Sequence, residues 1–257
     1  MMAKLTMDEI NAVKAKGFLR NRGTELFSGR VVPVGTVFTA ENFRDMAELS
    51  SKFGNGKLIG TSRQAVEIPG IPYEKIPEAI AFAEAHDLHF GGTGAKVRPI
   101  TACKGTTCVF GMYDTQALAK KIHEAYYVGW DRVTLPHKFK IAVGGCPNSC
   151  IKPGLNDFGV EGNREGGRVV YKIYVGGTWG KNCRMGTPLS HKVGEEEILP
   201  VLEKCMLWFR ENAYAKERFG LAIDRIGIDH LEAAIWNGDL LDRKEEILSR
   251  EIRKKEN

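Results

Sequence analysis

The sequence predicts a mixed α+β / α/β protein in two parts, a ferredoxin-like plait followed by an α/β domain. Three observations carry that expectation. From residue 30 the hydrophobic pattern runs strand, helix, strand, strand, helix, strand; the run Gly91-Gly92-Thr93-Gly94 then interrupts it; and beyond the glycines it resumes as strand, helix, strand. At 257 residues with 43% hydrophobic content, the chain is long enough for one large domain or two smaller ones with cores of their own.

Residues 1–28 read as an N-terminal arm, opening on the amphipathic, mixed-charge stretch MMAKLTMDEINAVKAKG. Arg30 to Val34 reads as a strand, and Thr39 to Phe53 as a helix capped by Thr39 and stopped by Gly54. Lys57 to Thr61 and Ala65 to Ile68 read as short strands. Tyr73 to His86 follows as a helix with Ile76, Ala79, Ile80 and Ala83 on one face, and Leu88 to Phe90 as the closing strand. Residues 29–92 therefore make a ferredoxin-like half-domain, a sheet with its helices on one side. Val97 to Ala102, Asp114 to Tyr126 and Phe139 to Val143 read as a β-α-β unit, with a hairpin from Asp157 to Glu161 and Val169 to Tyr174 and a long amphipathic helix from Glu195 to Tyr214. That second domain spans residues 93–236, and residues 237–257 carry a charged helix from Leu240 to Lys255.

No apolar stretch reaches the length needed to cross a bilayer, and the amino terminus does not read as a secretory signal, so a soluble, cytoplasmic protein with no membrane association is expected. The formal net charge of +5 points to anionic ligands or acidic partners. Nucleic acid is not expected, because the basic residues are not interleaved with aromatic ones and no zinc-finger or helix-turn-helix spacing occurs.

Four of the six cysteines fall into two close pairs, Cys103 with Cys108 in TACKGTTC and Cys146 with Cys150 in GGCPNSC. A cubane iron–sulfur cluster takes four thiolates, which two short loops can supply two each. Structural zinc favours two-residue gaps within each pair, whereas residues 104–107 and 147–149 make gaps of four and three with no adjacent His; zinc is the weaker alternative. Disulfides are weaker still in a chain read as cytoplasmic. Cys183 and Cys205 read as buried free thiols, Cys205 lying in the apolar run from Val201 to Trp208. Both pairs lie just past strand ends, where open α/β sheets bind ligands.

Cations gather near these loops: Lys96, Arg98, Lys104, Lys138, Lys140, Lys152 and Arg164. Most are ordinary surface charge. Arg98, Lys138 and Lys140 differ, because each lies in or beside a strand that leads into a cysteine loop. Alternation along the strand places Lys138 and Lys140 on one face, so both can aim at one anion. Arg63, between two plait strands, is a fourth candidate; a guanidinium offers paired donors to an oxyanion, and an ammonium can also deliver a proton. Beside an anion the lysines should stay protonated.

The segments GTSRQAVEIPGI, TACKGTTC, LPHKFKIAVGGCPNSC and ENAYAKERFGLAIDRIG resemble the siroheme-dependent sulfite and nitrite reductase family, in that family's order and over roughly residues 30 to 236. The likeness is nearest to the small, single-copy assimilatory-type sulfite reductases of anaerobes. It implies two cofactors, a 4Fe-4S cluster held by Cys103, Cys108, Cys146 and Cys150, and siroheme joined to the cluster through Cys150. It implies that Arg63, Arg98, Lys138 and Lys140 surround the substrate anion. Lys96, Lys104, Lys152, Arg164 and Arg184 are then candidates for the siroheme carboxylates. The first cysteine gap is four residues where most of the family has five. Larger members carry two tandem copies of the unit, so a single copy is expected to form a homodimer or to cover the vacant surface with its terminal segments. The implied activity is six-electron reduction of sulfite to sulfide, with nitrite reduction to ammonia as an alternative and a non-catalytic redox carrier as a third reading. With no dinucleotide loop or further cysteine set, electrons would come from an external donor such as a ferredoxin, flavodoxin or cytochrome.

Overall fold

The computed structural model describes residues 5–255 and divides the chain into two compact units, Met1–Gly94 and Ala95–Asn257. In the first unit, helix α1 (Met7–Ala15) starts at Thr6, whose side chain and that of Glu9 form a reciprocal capping box. Strands β1 (Phe18–Arg20) and β2 (Leu26–Val31), helix α2 (Ala40–Phe53), strands β3 (Ile59–Gly60) and β4 (Val66–Pro72) and helix α3 (Ile76–Ala85) follow. Thr39 and Asn42 cap α2, and the backbone beyond Phe53 leaves the helix at Gly54, as the sequence indicates. The sheet is antiparallel in the order β1-β2-β4-β3. Met46, Leu49 and Phe53 of α2 and Ile76, Ala79 and Ala83 of α3 share one core with Phe27, Ile68 and Ile71 of the sheet.

Two expectations change here. Residues read as an arm supply α1 and β1, and β1 pairs with β2 through Phe18–Gly29 and Arg20–Phe27. That pairing takes much of the β2 edge the closing plait strand would use. Leu88 to Phe90 is accordingly reduced to a bridge between Phe90 and Val31, with the Val32 amide donating to His89 O at 2.9 Å. Gly17 makes the turn from α1 into β1: its φ is +100°, and a Cβ there would stand 2.4 Å from the Gly91 nitrogen.

The second unit contains β5 (Thr101–Ala102), α4 (Thr115–Ile122), β6 (Ile141–Gly144), β7 (Phe158–Glu165), β8 (Arg168–Val175), β9 (Thr187–Pro188), α5 (Glu195–Asn212), α6 (Phe219–Ile226), α7 (Ile228–Asn237) and α8 (Lys244–Ser249). Its sheet runs β5-β6-β7-β8-β9, with β5, β6 and β7 parallel and the rest antiparallel. Every residue of β6 is buried, as a parallel strand covered on both faces requires. Asp114 caps α4 through the Gln116 and Ala117 amides, and beyond Ile122 the backbone widens into a π-helical stretch, His123–Val128. Val201, Leu202, Cys205, Trp208 and Phe209 bury the inner face of α5 in a core separate from that of the first unit. The charged tail is helical only over α8. Arg210 Nη2 donates to Arg250 O at 2.6 Å and the Ala215 amide to Arg253 O at 2.7 Å, so tertiary bonds take carbonyls that a longer helix would use. Residues 256 and 257, included in the expected terminal segment, lie outside the described residues, as do residues 1–4 of the expected arm.

Candidate active site

The two cysteine loops leave neighbouring strands at the same end of the parallel sheet. Ala102 of β5 stands opposite Val143 of β6, so Cys103 emerges beside Gly144 and Gly145. The loops are bonded to one another: the Gly145 amide donates to Cys103 Sγ at 3.2 Å, the Met112 amide to Gly145 O at 3.1 Å, and Tyr113 Oη to Gly144 O at 2.9 Å. A Cβ on Gly145 would come within 3.2 Å of Cys103 Sγ. The first loop is wound tightly, with the Cys108 amide donating to Gly105 O and the Gly111 amide to Cys108 O, both at 2.9 Å. Thr115 Oγ1 anchors it by donating to Cys103 O at 2.6 Å. In the second loop Ser149 and Lys152 hold left-handed backbones, φ 55° and 56°.

All six cysteines are free; Cys103, Cys108 and Cys146 are half-buried and Cys150 is exposed. Among the described residues no three His, Cys, Asp or Glu side chains group around a single-ion position. A cubane does not require that, since each of its irons takes one thiolate. Two loops on adjacent strands, an amide aimed at a sulfur, and four soft donors fit such a cluster. Cys205 is fully buried, and burial pushes its thiol well above the ordinary value. Cys183, expected to be buried, is exposed instead, on the loop from Thr178 to Arg184 that a Thr178–Arg184 bridge closes as a turn away from the core.

A cleft of about 520 Å³ lies in the same unit, lined by His137, Lys138, Arg218, Leu221 and Asp224 and by the loop from Thr178 to Arg184. Phe139 is buried against Phe209 and Phe219, which turns its neighbours Lys138 and Lys140 to the opposite face. The fully buried Asp157 binds this region together: Arg218 Nη2 donates to both its carboxylate oxygens at 2.9 and 2.8 Å, and the Lys140 amide to Oδ2 at 2.8 Å. Burial pushes the Asp157 carboxyl up against the pull of Arg218 and Lys140. Burial, then Arg218 and Arg98, push the Lys138 ammonium down, with Asp157 opposing. Burial and the charges of Arg218, Lys138 and Arg98 lower His137 to about 4, so its ring is neutral at pH 7. The Lys138 amide donates to His137 Nδ1 at 2.7 Å, which leaves the ring proton on Nε2.

Lys138, His137 and Arg218 line the cleft; the charge of Arg98 acts on Lys138 and His137, and Lys140 is joined to the group through its amide bond to Asp157. Arg63 is half-buried on the β3–β4 turn of the first unit, its amide donating to Thr61 Oγ1 at 3.4 Å. Lys104, Lys152 and Arg164 are exposed, and exposed Lys96 donates to Asp131 O. Arg184 lines the cleft, but its guanidinium is engaged by Asp224 at 2.7 Å and by the carbonyls of Gly176 and Met185, both at 3.1 Å, which makes it a brace for the loop.

Residues 93–240 match the family described as the nitrite and sulphite reductase 4Fe-4S domain, and residues 20–86 the nitrite/sulfite reductase ferredoxin-like half domain. The chain belongs to the nitrite and sulphite reductase family. An assimilatory-type sulfite reductase of Nitratidesulfovibrio vulgaris is 31% identical over 69% of this chain and 73% of its own length. The NAD(P)H nitrite reductase of Bacillus subtilis is 29% identical over 80% of this chain, which spans only 25% of that larger protein. The same reductase fold appears in the NirA protein of Mycobacterium tuberculosis, with a TM-score of 0.77 at 20% identity over 98% of this chain and 49% of that one. It appears also in dissimilatory sulfite reductase I, with a TM-score of 0.71 at 19% identity over 82% of this chain and 68% of that one. Membership of the reductase family implies a 4Fe-4S cluster and siroheme.

Proposed function

We propose that this protein reduces sulfite to sulfide, with a 4Fe-4S cluster on Cys103, Cys108, Cys146 and Cys150, siroheme beside it, and electrons from an external donor. The observation that carries the reading is the gathering of Arg98, Lys138 and Arg218 with a neutral His137 in the unit that holds all four cysteines. When bound, the cluster and siroheme supply the electrons and the iron at which the substrate is reduced. The chain's own residues have other tasks. Arg98 and Arg218 contribute guanidinium charge that favours an oxyanion, Arg218 with its Nη2 held by Asp157. Lys138, its proton loosened by burial and neighbouring guanidinium groups, is suited to deliver protons as oxygen leaves as water. His137 keeps a donor on Nε2 without adding charge. Converting SO₃²⁻ to HS⁻ consumes six electrons and seven protons and releases three waters, so proton delivery is as necessary as electron supply.

Nitrite reduction to ammonia is the second reading, supported by relatives named nitrite reductases. A cyanobacterial relative named ferredoxin–nitrite reductase supports an external donor, and a small acidic ferredoxin, flavodoxin or cytochrome would complement the +5 charge. Six free thiols suit a reducing compartment such as the cytoplasm, and no helix among the described residues is long and apolar enough to cross a membrane. The test is anaerobic visible spectroscopy of the purified protein, followed by sulfite and nitrite turnover with a reduced viologen dye. Haem bands that shift with sulfite, together with sulfide production, are expected. Ammonia without sulfide would reassign the substrate, and reconstituted protein with no haem bands would reject the reading.

A further inference from the structure

Glu161 is 6% exposed and takes no part in the cation set. It lies on β7 in register with Gly144 of β6, the residue at which the second cysteine loop leaves the sheet. One carboxylate oxygen accepts from Ser149 Oγ at 3.2 Å and from Tyr174 Oη at 3.4 Å; the other accepts from Asn163 Nδ2 at 3.1 Å. Ser149 stands between Cys146 and Cys150 with a left-handed backbone, its amide donating to Cys146 O at 3.1 Å and its carbonyl accepting from the Lys152 amide at 2.8 Å. The β7 backbone lies against this loop, since a Cβ on Gly162 would meet Gly145 O at 2.8 Å. A single carboxylate therefore grips the middle of the segment that carries two cysteines.

Three donors converge on Glu161, two on one oxygen and one on the other, so both oxygens act as acceptors. A glutamine would keep the Ser149 and Tyr174 bonds through its one oxygen but lose the Asn163 bond along with the negative charge. We infer that Glu161 is a positioning residue for the 4Fe-4S cluster: through Ser149 it fixes the Cys146–Cys150 loop, and its charge beside that loop holds the cluster's reduction potential down. A negative charge near the cluster favours the oxidised form, which carries less negative charge than the reduced one. The inference deepens the cluster reading above and depends on it.

The experiment compares anaerobically purified holoprotein with its Glu161→Gln and Ser149→Ala variants. Iron and acid-labile sulfide are measured, iron loss to a chelator is timed, and the cluster is titrated potentiometrically by electron paramagnetic resonance. Glu161→Gln is expected to keep its iron and to shift the reduced-to-oxidised ratio at fixed potential toward reduction by on the order of tenfold, 59 mV upward for a one-electron couple. Ser149→Ala keeps the charge, so its potential should stay near the parent's while iron is lost several-fold faster. A fully loaded Glu161→Gln protein with the parent potential would overturn the electrostatic role. Iron retention in Ser149→Ala equal to the parent's would overturn the positioning role, and that arm decides even where Glu161→Gln does not accumulate folded. A parent protein that takes up no iron–sulfur cluster on reconstitution would instead be a failure of the cofactor reading, visible before any variant is compared.

Discussion

Lys138 and His137 are adjacent residues given opposite tasks by one environment. Burial and the guanidinium groups of Arg218 and Arg98 push the Lys138 ammonium down without removing its charge partner Asp157. Lys138→Met keeps the length of the side chain and removes the proton, so sulfite turnover should fall by about 10²-fold or more, the usual contribution of a positioned acid, with haem and cluster absorbance unchanged. Steady-state rates and visible spectra on the same sample check it. For His137, the folded value of about 4 lies below the ordinary 6.5, so unfolded chains bind more protons between those values. Its contribution to stability is present above pH 6.5 and is lost as pH falls toward 4. Denaturant titrations across that window should show a decline in the parent that is smaller in His137→Gln. Arg98, Lys138 and Lys140 stand out in the sequence because they flank the cysteine loops. Arg218 does not, although it sits within ENAYAKERFGLAIDRIG. Its partner Asp157 is 61 residues away, and no local pattern reports a pair formed by the fold.

At the level of elements, the helices read over Thr39 to Phe53, Asp114 to Tyr126 and Glu195 to Tyr214 were legible because their apolar stripes are local, the last two ending as α-helix at Ile122 and Asn212. What escaped was competition. β1 is three residues long, too short for alternation to register, yet its pairing with β2 cuts the expected strand at Leu88 to Phe90 down to a bridge. The same logic governs the first cysteine loop, whose four-residue gap is closed by a turn so tight that a Cβ on Gly111 would lie 2.0 Å from Gly105 O. That atom belongs to the backbone, so the loop itself must open to admit a methyl group. Gly111→Ala should therefore leave far-UV circular dichroism near that of the parent while reducing bound iron per chain several-fold, as measured by iron analysis after identical reconstitution.

At the scale of the whole molecule, the described residues form two cores, one in each unit, and damage to one should be read in that unit. Trp208 is fully buried in the second unit, edge-on to Phe219 and donating to His230 Nδ1 at 2.9 Å. Trp208→Ala should cost that unit ~3–5 kcal/mol, with hydrogen exchange accelerated in β6 and α5 and unchanged in β2 and β4. The +5 charge gives a second prediction: reduction by an acidic ferredoxin should slow as salt rises from 0.05 to 0.5 M, roughly the range over which screening shortens below 10 Å, in stopped-flow traces. One further consequence follows from the loops that leave β5 and β6 side by side. An inorganic core gripping both would act as a clip across the intervening chain, removing freedom from the unfolded ensemble much as a cross-link does. Iron supply would then govern the protein's lifetime as well as its chemistry, because chains that miss their cofactor would open at the β5–β6 edge and meet the cell's proteases first.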